Sequence, residues 1–221
     1  MTKKVYNIRM ITGSLDTVAL SFPQLSYAPK TVILDPIKTV HDVYYLESGY
    51  VRMYLLSEDG EELTLHVFRP GIYFPLMLIL TDSPNKYYFE AVTPVVVRKV
   101  PKAKIITVLK ENPDVLFDLA TRLSGGIMGY LVKVESLLLH DAYKRVISIL
   151  CYLGESFSEP LSDGSVRINL SITHYLLSTW VGLTRETVSR QIEKLEKNGS
   201  IVSKDNTVII KNLDALKKEL D

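Results

Sequence analysis

Between positions 31 and 101 the apolar residues fall in short runs rich in β-branched and aromatic side chains, at 31–34, 43–46, 51–56, 63–68 and 95–100. Turn formers break the runs at Ser48-Gly49, Glu58-Asp59-Gly60 and Pro70-Gly71. Runs of that kind, closed by such clusters, predict strands. Many short strands joined by turns predict a β sandwich or barrel.

The period changes after Asn112-Pro113-Asp114, where proline suits the first position of a helix. Apolar residues then fall at Leu116, Leu119, Leu123, Ile127, Tyr130, Val134 and Leu137. Spacings that alternate three and four predict an apolar seam on a helix of about 25 residues, longer than the usual 8–20. A helix of a second copy is the simplest partner for the seam. Gly125, Gly126 and Gly129 interrupt it, each at roughly 1 kcal/mol relative to alanine. Close approach of two helices, room for a ligand, or a kink are the three ways to offset that cost. A further amphipathic stretch, 143–153, follows Asp141-Ala142, and a Ser/Gly/Pro/Glu-rich loop is expected over 154–165.

In the last fifty residues, a short helix from about Thr173 is expected to end at Gly182, the glycine of a tight interhelical turn. Thr184 is a good N-cap for a second helix reaching Asn198, with Gly199 at the left-handed C-terminal position. Ile201-Val202 and Val208-Ile209-Ile210 flank Asp205-Asn206, a hairpin turn signal. Helix, turn, helix and hairpin make a winged helix-turn-helix. On the second helix Arg185, Glu186, Ser189 and Arg190 share one face, and Val188, Ile192 and Leu195 share another. The polar set suits the DNA major groove, since arginine grips guanine bidentately, glutamate accepts from cytosine N4, and serine contacts either base type.

Composition narrows the reading. The 221 residues, 47% hydrophobic and 23% charged, suit one large or two modest domains. A formal charge of +1 gives no polybasic signature, so any DNA contact must be local. The single cysteine, Cys151, cannot form an internal disulfide or supply an iron–sulfur cluster, which predicts a reducing compartment and a small buried group. The N-terminus carries no signal-peptide pattern, and the run at 72–80, with Pro75 inside it, is far short of the roughly 20 residues of a membrane span. A cytoplasmic protein without a membrane partner is expected, with 72–80 a buried segment or pocket wall.

The stretch Val181-Gly182-Leu183-Thr184-Arg185-Glu186-Thr187-Val188-Ser189-Arg190 is similar to the recognition-helix signature of the CRP/FNR family. Asn112-Pro113-Asp114-Val115-Leu116 resembles the start of that family's dimerisation helix, and 43–51 a strand-turn-strand of its β-roll. The resemblance runs from about Thr31 to Leu216. It implies an α+β chain with a cyclic-nucleotide-binding-like β-roll (jelly-roll) at 1–112, a dimerisation helix at 113–140 and a winged helix-turn-helix at 141–221. It implies a homodimeric transcription regulator on a palindromic operator, an activator with RNA polymerase as a further partner. Arg185, Glu186 and Arg190 match base readers of the cyclic-AMP branch, whose half-site is TGTGA-like. Glu186, Ser189 and Arg190 match those of the oxygen-sensing branch, whose half-site is TTGAT-like. A TGA core is common to both. Thr173 and Thr187 match backbone-contacting positions, and His174 stands where many relatives carry arginine.

The sensor half departs from the resemblance. Cyclic-nucleotide binders carry a glutamate and then an Arg-Ser pair after the strand-ending glycine. Here Gly71 is followed by Ile72-Tyr73-Phe74-Pro75-Leu76-Met77, and Asn85-Lys86 takes the place of Arg-Ser. Lysine does not reproduce the bidentate grip of arginine, and Tyr130 and Leu131 replace the small hydroxyl residues that meet the adenine. Cyclic AMP is therefore not the expected effector, a cyclic-nucleotide-dependent regulator being the alternative. A cavity lined by Tyr73, Phe74, Met77, Tyr87, Tyr88, Phe89 and Tyr130, with Lys86 or Lys133 nearby, would suit an apolar or aromatic effector with one anionic group. The competing expectation is a filled core without an effector. No metal or haem is expected, because His41, His66, His140 and His174 have no ligand spacing. A cupin-like enzyme, the alternative from a different class, needs a His-rich metal set that this β region does not offer.

Overall fold

The computed structural model describes residues 14–220. The chain divides into two units between Ser124 and Gly125, inside its longest helix.

The first unit contains α1 (Ser14–Leu20), β1 (Gln24–Tyr27), β2 (Val32–Leu34), β3 (Asp42–Ser48), β4 (Val51–Leu56), β5 (Glu62–Phe68), β6 (Tyr73–Phe74), α2 (Leu76–Thr81), β7 (Tyr88–Ala91), β8 (Val95–Pro101) and α3 (Lys102–Glu111). Its strands form two four-stranded antiparallel sheets, ordered β1-β8-β3-β6 and β2-β7-β4-β5. Period-two alternation assigns each side chain its layer. Tyr44 and Leu46 of β3 face one core with Val51, Met53, Phe74, Phe89, Val95 and Val97, drawn from both sheets. Val43 faces the other way, into a second cluster with Ala19, Tyr73, Ile79, Val100, Ile105 and Leu109 that lies under α1, α2 and α3. The result is a β-roll with helices over the outer side of one sheet. The run at 72–80 breaks at Pro75 into β6 and α2, and it is buried at Phe74, Leu76, Leu78 and Ile79.

Turn chemistry holds where the backbone demands it. Gly49 joins β3 to β4 at φ +82°, and a Cβ there would come within 2.1 Å of the Pro94 carbonyl oxygen. On the outer face of the second sheet Arg52 is nearly buried, with 7% of its side chain exposed, and it bridges two carboxylates. Its Nη1 lies 2.5 Å from Glu62 Oε2 and its Nε 3.0 Å from Glu90 Oε1, and its guanidinium sits 4.2 Å above the Tyr54 ring. Burial works against the charge, but the two carboxylates outweigh it and hold the guanidinium protonated.

The helix α4 (Pro113–Leu139) begins at the expected proline and is continuous through the glycines. The second unit continues with α5 (Ala142–Ser156), β9 (Ser158–Pro160), β10 (Val166–Ile168), α6 (His174–Val181), α7 (Arg185–Lys197), β11 (Ile201–Lys204), β12 (Thr207–Ile210) and α8 (Leu213–Lys218). Its sheet is antiparallel in the order β11-β12-β10-β9. The region expected to be a loop over 154–165 instead carries the end of α5 and β9. Gly154 on α5 lies so close to Ile210 and Leu213 that a Cβ would meet them at 2.9 and 3.0 Å, so this turn packs rather than loops out. Asp141 caps α5 by accepting from the Lys144 amide. Arg145 reaches back to the carbonyls of Leu137 (2.6 Å) and His140 (3.0 Å), closing the C-terminal end of α4.

The Arg52 cluster generates a stability prediction. Arg52→Ala leaves Glu62 and Glu90 unpaired in a largely dry site and is expected to cost about 2–4 kcal/mol in urea unfolding. A loss below about 1 kcal/mol would mean that water solvates the two carboxylates as well as the arginine did.

Candidate nucleic-acid interface

The interface is built by two helices that meet at one glycine. Thr173 caps α6, its hydroxyl oxygen accepting from the Leu176 amide at 3.0 Å. A hydroxyl has one donor and two acceptor positions, so capping leaves the Thr173 O–H free to donate outward. Gly182 ends α6 at φ +61° in the left-handed region, and its amide bonds back to the Ser178 carbonyl. Thr184 caps α7 by accepting from the Thr187 amide. Val188, Ile192 and Leu195 are buried on the inner face of α7, and Leu177, Trp180 and Val181 on α6.

The two halves of α7 are held differently. At the C-terminal half, the Lys194 ammonium lies 3.8 Å over the Tyr143 ring, whose hydroxyl donates to Glu219 at 2.9 Å. Glu196 Oε1 accepts from the Ser203 amide of the wing at 2.9 Å. Sequence reading missed Tyr143, because an aromatic in an amphipathic helix carries no sign of the cation it meets fifty residues later. At the N-terminal half, Arg185, Glu186 and Arg190 are exposed, and among the described residues neither arginine makes an ion pair. Arg190 Nη2 donates to Thr187 Oγ1 at 3.2 Å, and Thr187 Oγ1 is 3.0 Å from Thr184 Oγ1. Ser189 is half-buried, and its hydroxyl is 2.6 Å from His174 Nδ1. All seven residues expected at the DNA surface are thus on α6, α7 or the cap of α6. The wing forms as expected: Asp205 and Asn206 turn the hairpin with φ of 50° and 61°, and the Asn206 carbonyl accepts from the Ile172 amide at 2.7 Å.

Most aromatics expected around an effector in the first unit are engaged in its own packing. Tyr73 is buried and donates to Asp16 at 3.1 Å. Phe74 has no exposure and stacks between Phe68 and Phe89, at centroid distances of 5.4 and 5.7 Å. Tyr88 stacks on Tyr54 at 5.0 Å, Tyr87 packs on the same core as Phe74, and Met77 and Lys86 are exposed. Tyr130 and Lys133 lie on the second unit's part of α4, and burial pushes the Lys133 ammonium down to about 8. Two open cavities of about 500 and 430 Å³ adjoin the loop at 36–41, and none of the six expected residues from Tyr73 to Tyr88 lines either. The lysines beside them, Lys38, Lys99 and Lys102, are each paired with an aspartate.

Asn85 spends its side chain on the loop, donating to the Asp35 and Tyr87 carbonyls and accepting from the Tyr87 amide. Lys86 points no planar donor pair inward. Among the described residues no three His, Cys, Asp or Glu side chains form a metal-binding group.

Residues 24–112 match the family model of the cyclic nucleotide-binding domain, and residues 144–219 that of the Crp-like helix-turn-helix domain. The global nitrogen regulator of Nostoc sp. (strain PCC 7120) is 30% identical over 195 residues, 87% of this chain and 85% of that protein. The chain belongs to the CRP/FNR family of transcription regulators. The crystal structure of a CRP/FNR family regulator from Thermus thermophilus has a TM-score of 0.70 at 29% identity, covering 90% of this chain and 98% of that one. A CooA mutant from Carboxydothermus hydrogenoformans shares the fold at a TM-score of 0.78 and 20% identity, covering 98% and 100%. The α+β architecture, the cyclic-nucleotide-binding-type domain and the DNA-binding helix-turn-helix expected from the sequence are those of this CRP/FNR regulator.

Cys151 is not placed for thiol chemistry. It is buried in α5, and burial pushes its thiol up to about 12, so the nucleophilic thiolate is scarce at neutral pH. Iodoacetamide at pH 8 is expected to alkylate the folded regulator at least ~100-fold more slowly than the urea-unfolded chain, whose thiol titrates near ~8.5. Equal rates would place the thiol at the surface.

Proposed function

We propose that this CRP/FNR regulator acts as a cytoplasmic homodimer on a twofold-symmetric operator with a TGA core in each half-site. Arg185, Glu186, Ser189 and Arg190 read bases, while Thr173, Thr187 and His174 meet the phosphate backbone. The carrying observation is the asymmetry of α7: a shaft pinned by Lys194–Tyr143 and Glu196–Ser203, and a tip whose Arg185, Glu186 and Arg190 face solvent. A pinned shaft with exposed charged side chains at its tip is what insertion of a helix N-terminus into the major groove requires. RNA polymerase is the further partner in this reading, and no catalytic activity is assigned to the chain.

The dimer is proposed through residues 113–140. Only Ser136 of α4 is buried, whereas Phe117 and Leu138 are each 76% exposed and Ile127 61%. Two seam residues are taken up locally, Leu119 in the first unit's helix cluster and Leu137 near Gly182, while Leu116 at the start is 49% exposed. The middle, Leu123, Ile127, Tyr130 and Val134, stays exposed. By length and hydropathy α4 could also cross a membrane. The charged residues Asp118, Arg122, Lys133 and Glu135 along it favour a coiled coil in water.

A small effector other than cyclic AMP would shift α4 and the junction at Asp141, moving the two recognition helices toward the ~34 Å spacing of successive major grooves. A second reading, a regulator competent without an effector, is favoured by the filled Phe68–Phe74–Phe89 core.

Selection from a random DNA pool by purified protein, without additions and at stated salt, is expected to enrich a palindrome with TGA cores. No enrichment, persisting with candidate effectors present, would overturn the operator reading. On the selected operator, Arg190→Ala and Glu186→Ala are each expected to weaken binding roughly 10- to 100-fold and to relax preference at one position. Light scattering is expected to give twice the 25.0 kDa chain mass, and Ile127→Asp to give a folded monomer with operator affinity largely lost. A dimeric Ile127→Asp protein would move the interface away from α4.

A further inference from the structure

The hydroxyl of Ser189 is not free to act alone. It lies 2.6 Å from Nδ1 of His174, a contact that joins α6 to α7, and both residues are half-buried. Serine reads either base type because its hydroxyl rotates freely between one donor and two acceptor roles. A hydrogen bond to an imidazole removes that freedom. If Ser189 donates to Nδ1, it presents only lone pairs outward and selects the amino groups of adenine or cytosine. If Nδ1–H donates to Ser189, the hydroxyl proton is left for guanine or thymine oxygens or purine N7. The ring nitrogen therefore fixes which bases the serine accepts.

We propose that His174 is a specificity-determining positioning residue, acting through Ser189, and not only a backbone contact. Its ring orients the serine hydroxyl, so that one base position of each half-site is read by the His174–Ser189 pair as a unit. This rests on the reading of α7 as the operator-reading helix. The same bond ties the N-terminus of α6, where phosphates are met, to the base-reading face of α7. The effect is confined to the position Ser189 faces, because the bond holds that one hydroxyl.

The test is a double-mutant cycle on wild type, His174→Ala, Ser189→Ala and the double variant. Each protein's affinity is measured for the selected operator and for its single-base variants, with thermal melting to confirm folding. Ser189→Ala locates the position by abolishing a preference there of roughly tenfold or more. His174→Ala is expected to flatten the same position to within about twofold, and the double variant to be no flatter than either single one. His174→Asn, which places a polar atom where Nδ1 stands, is expected to restore part of the preference. A His174→Ala protein that binds every operator more weakly by one common factor, with the Ser189 position still discriminated, overturns the pair and leaves a phosphate contact only. Failure of wild type to prefer any palindrome would instead remove the operator reading itself, an outcome separable from failure of the pair.

Discussion

Val188, Ile192 and Leu195 are buried along one side of α7, and that burial decides what the other side can do. A thirteen-residue helix is marginal alone in water, so α7 exists because α5, α6 and the wing cover its apolar stripe. The left-handed Gly182 sets the angle at which α6 can do so. Once the stripe is fixed, the 3.6-residue period leaves Arg185, Glu186 and Arg190 outward. The caps follow from the same arrangement: Thr173 and Thr184 satisfy helix-end amides that would otherwise face the groove unpaired.

The β-roll unit answers to a different constraint, the filling of space between two twisted sheets. Phe68, Phe74 and Phe89 occupy that space by stacking within 5.4–5.9 Å, and no charged side chain lies in this core cluster. Polar side chains of this unit are tied to their own surroundings: Asn85 to its loop, Arg52 to two carboxylates across neighbouring strands. The fold of a cyclic nucleotide-binding domain is thus held by packing, while recognition in such a fold depends on a few side chains that the core does not dictate.

Legibility in the sequence tracked the range of the interactions involved. The winged helix-turn-helix was readable because its signals are local: a capping threonine, a glycine after a helix, Asp-Asn between two apolar pairs. Five of the eight strands in the β-roll were readable, within two residues at each end, because their runs of four to six residues are rich in β-branched and aromatic side chains. The strands at Gln24–Tyr27, Tyr73–Phe74 and Tyr88–Ala91 carry no such run in two to four residues, and the aromatics of the last two looked like pocket lining. Burial of an aromatic and lining of a cavity demand the same residue types, and only three-dimensional packing separates them. Tyr143 under Lys194 and His174 on Ser189 were unreadable because each joins elements through side chains with no sequence signature.

The glycines of α4 bear on the proposed dimer. Each lowers helix stability by about 1 kcal/mol against alanine, and a Cβ added at Gly125 or Gly126 would meet nothing within 4 Å in the chain's own fold. The helix runs from Pro113 to Leu139 through all three glycines, and no side chain within 4 Å accounts for Gly125 or Gly126. Of the offsets open to a helix interior, those outside the protomer are close approach of a second helix and room for a ligand beside it. Ile127 and Met128, directly after the glycine pair, are more than half exposed, and a helix of a second copy laid across this segment would bury both while using the space the glycines leave. The proposed dimer would thus account for the apolar seam and for Gly125 and Gly126 together.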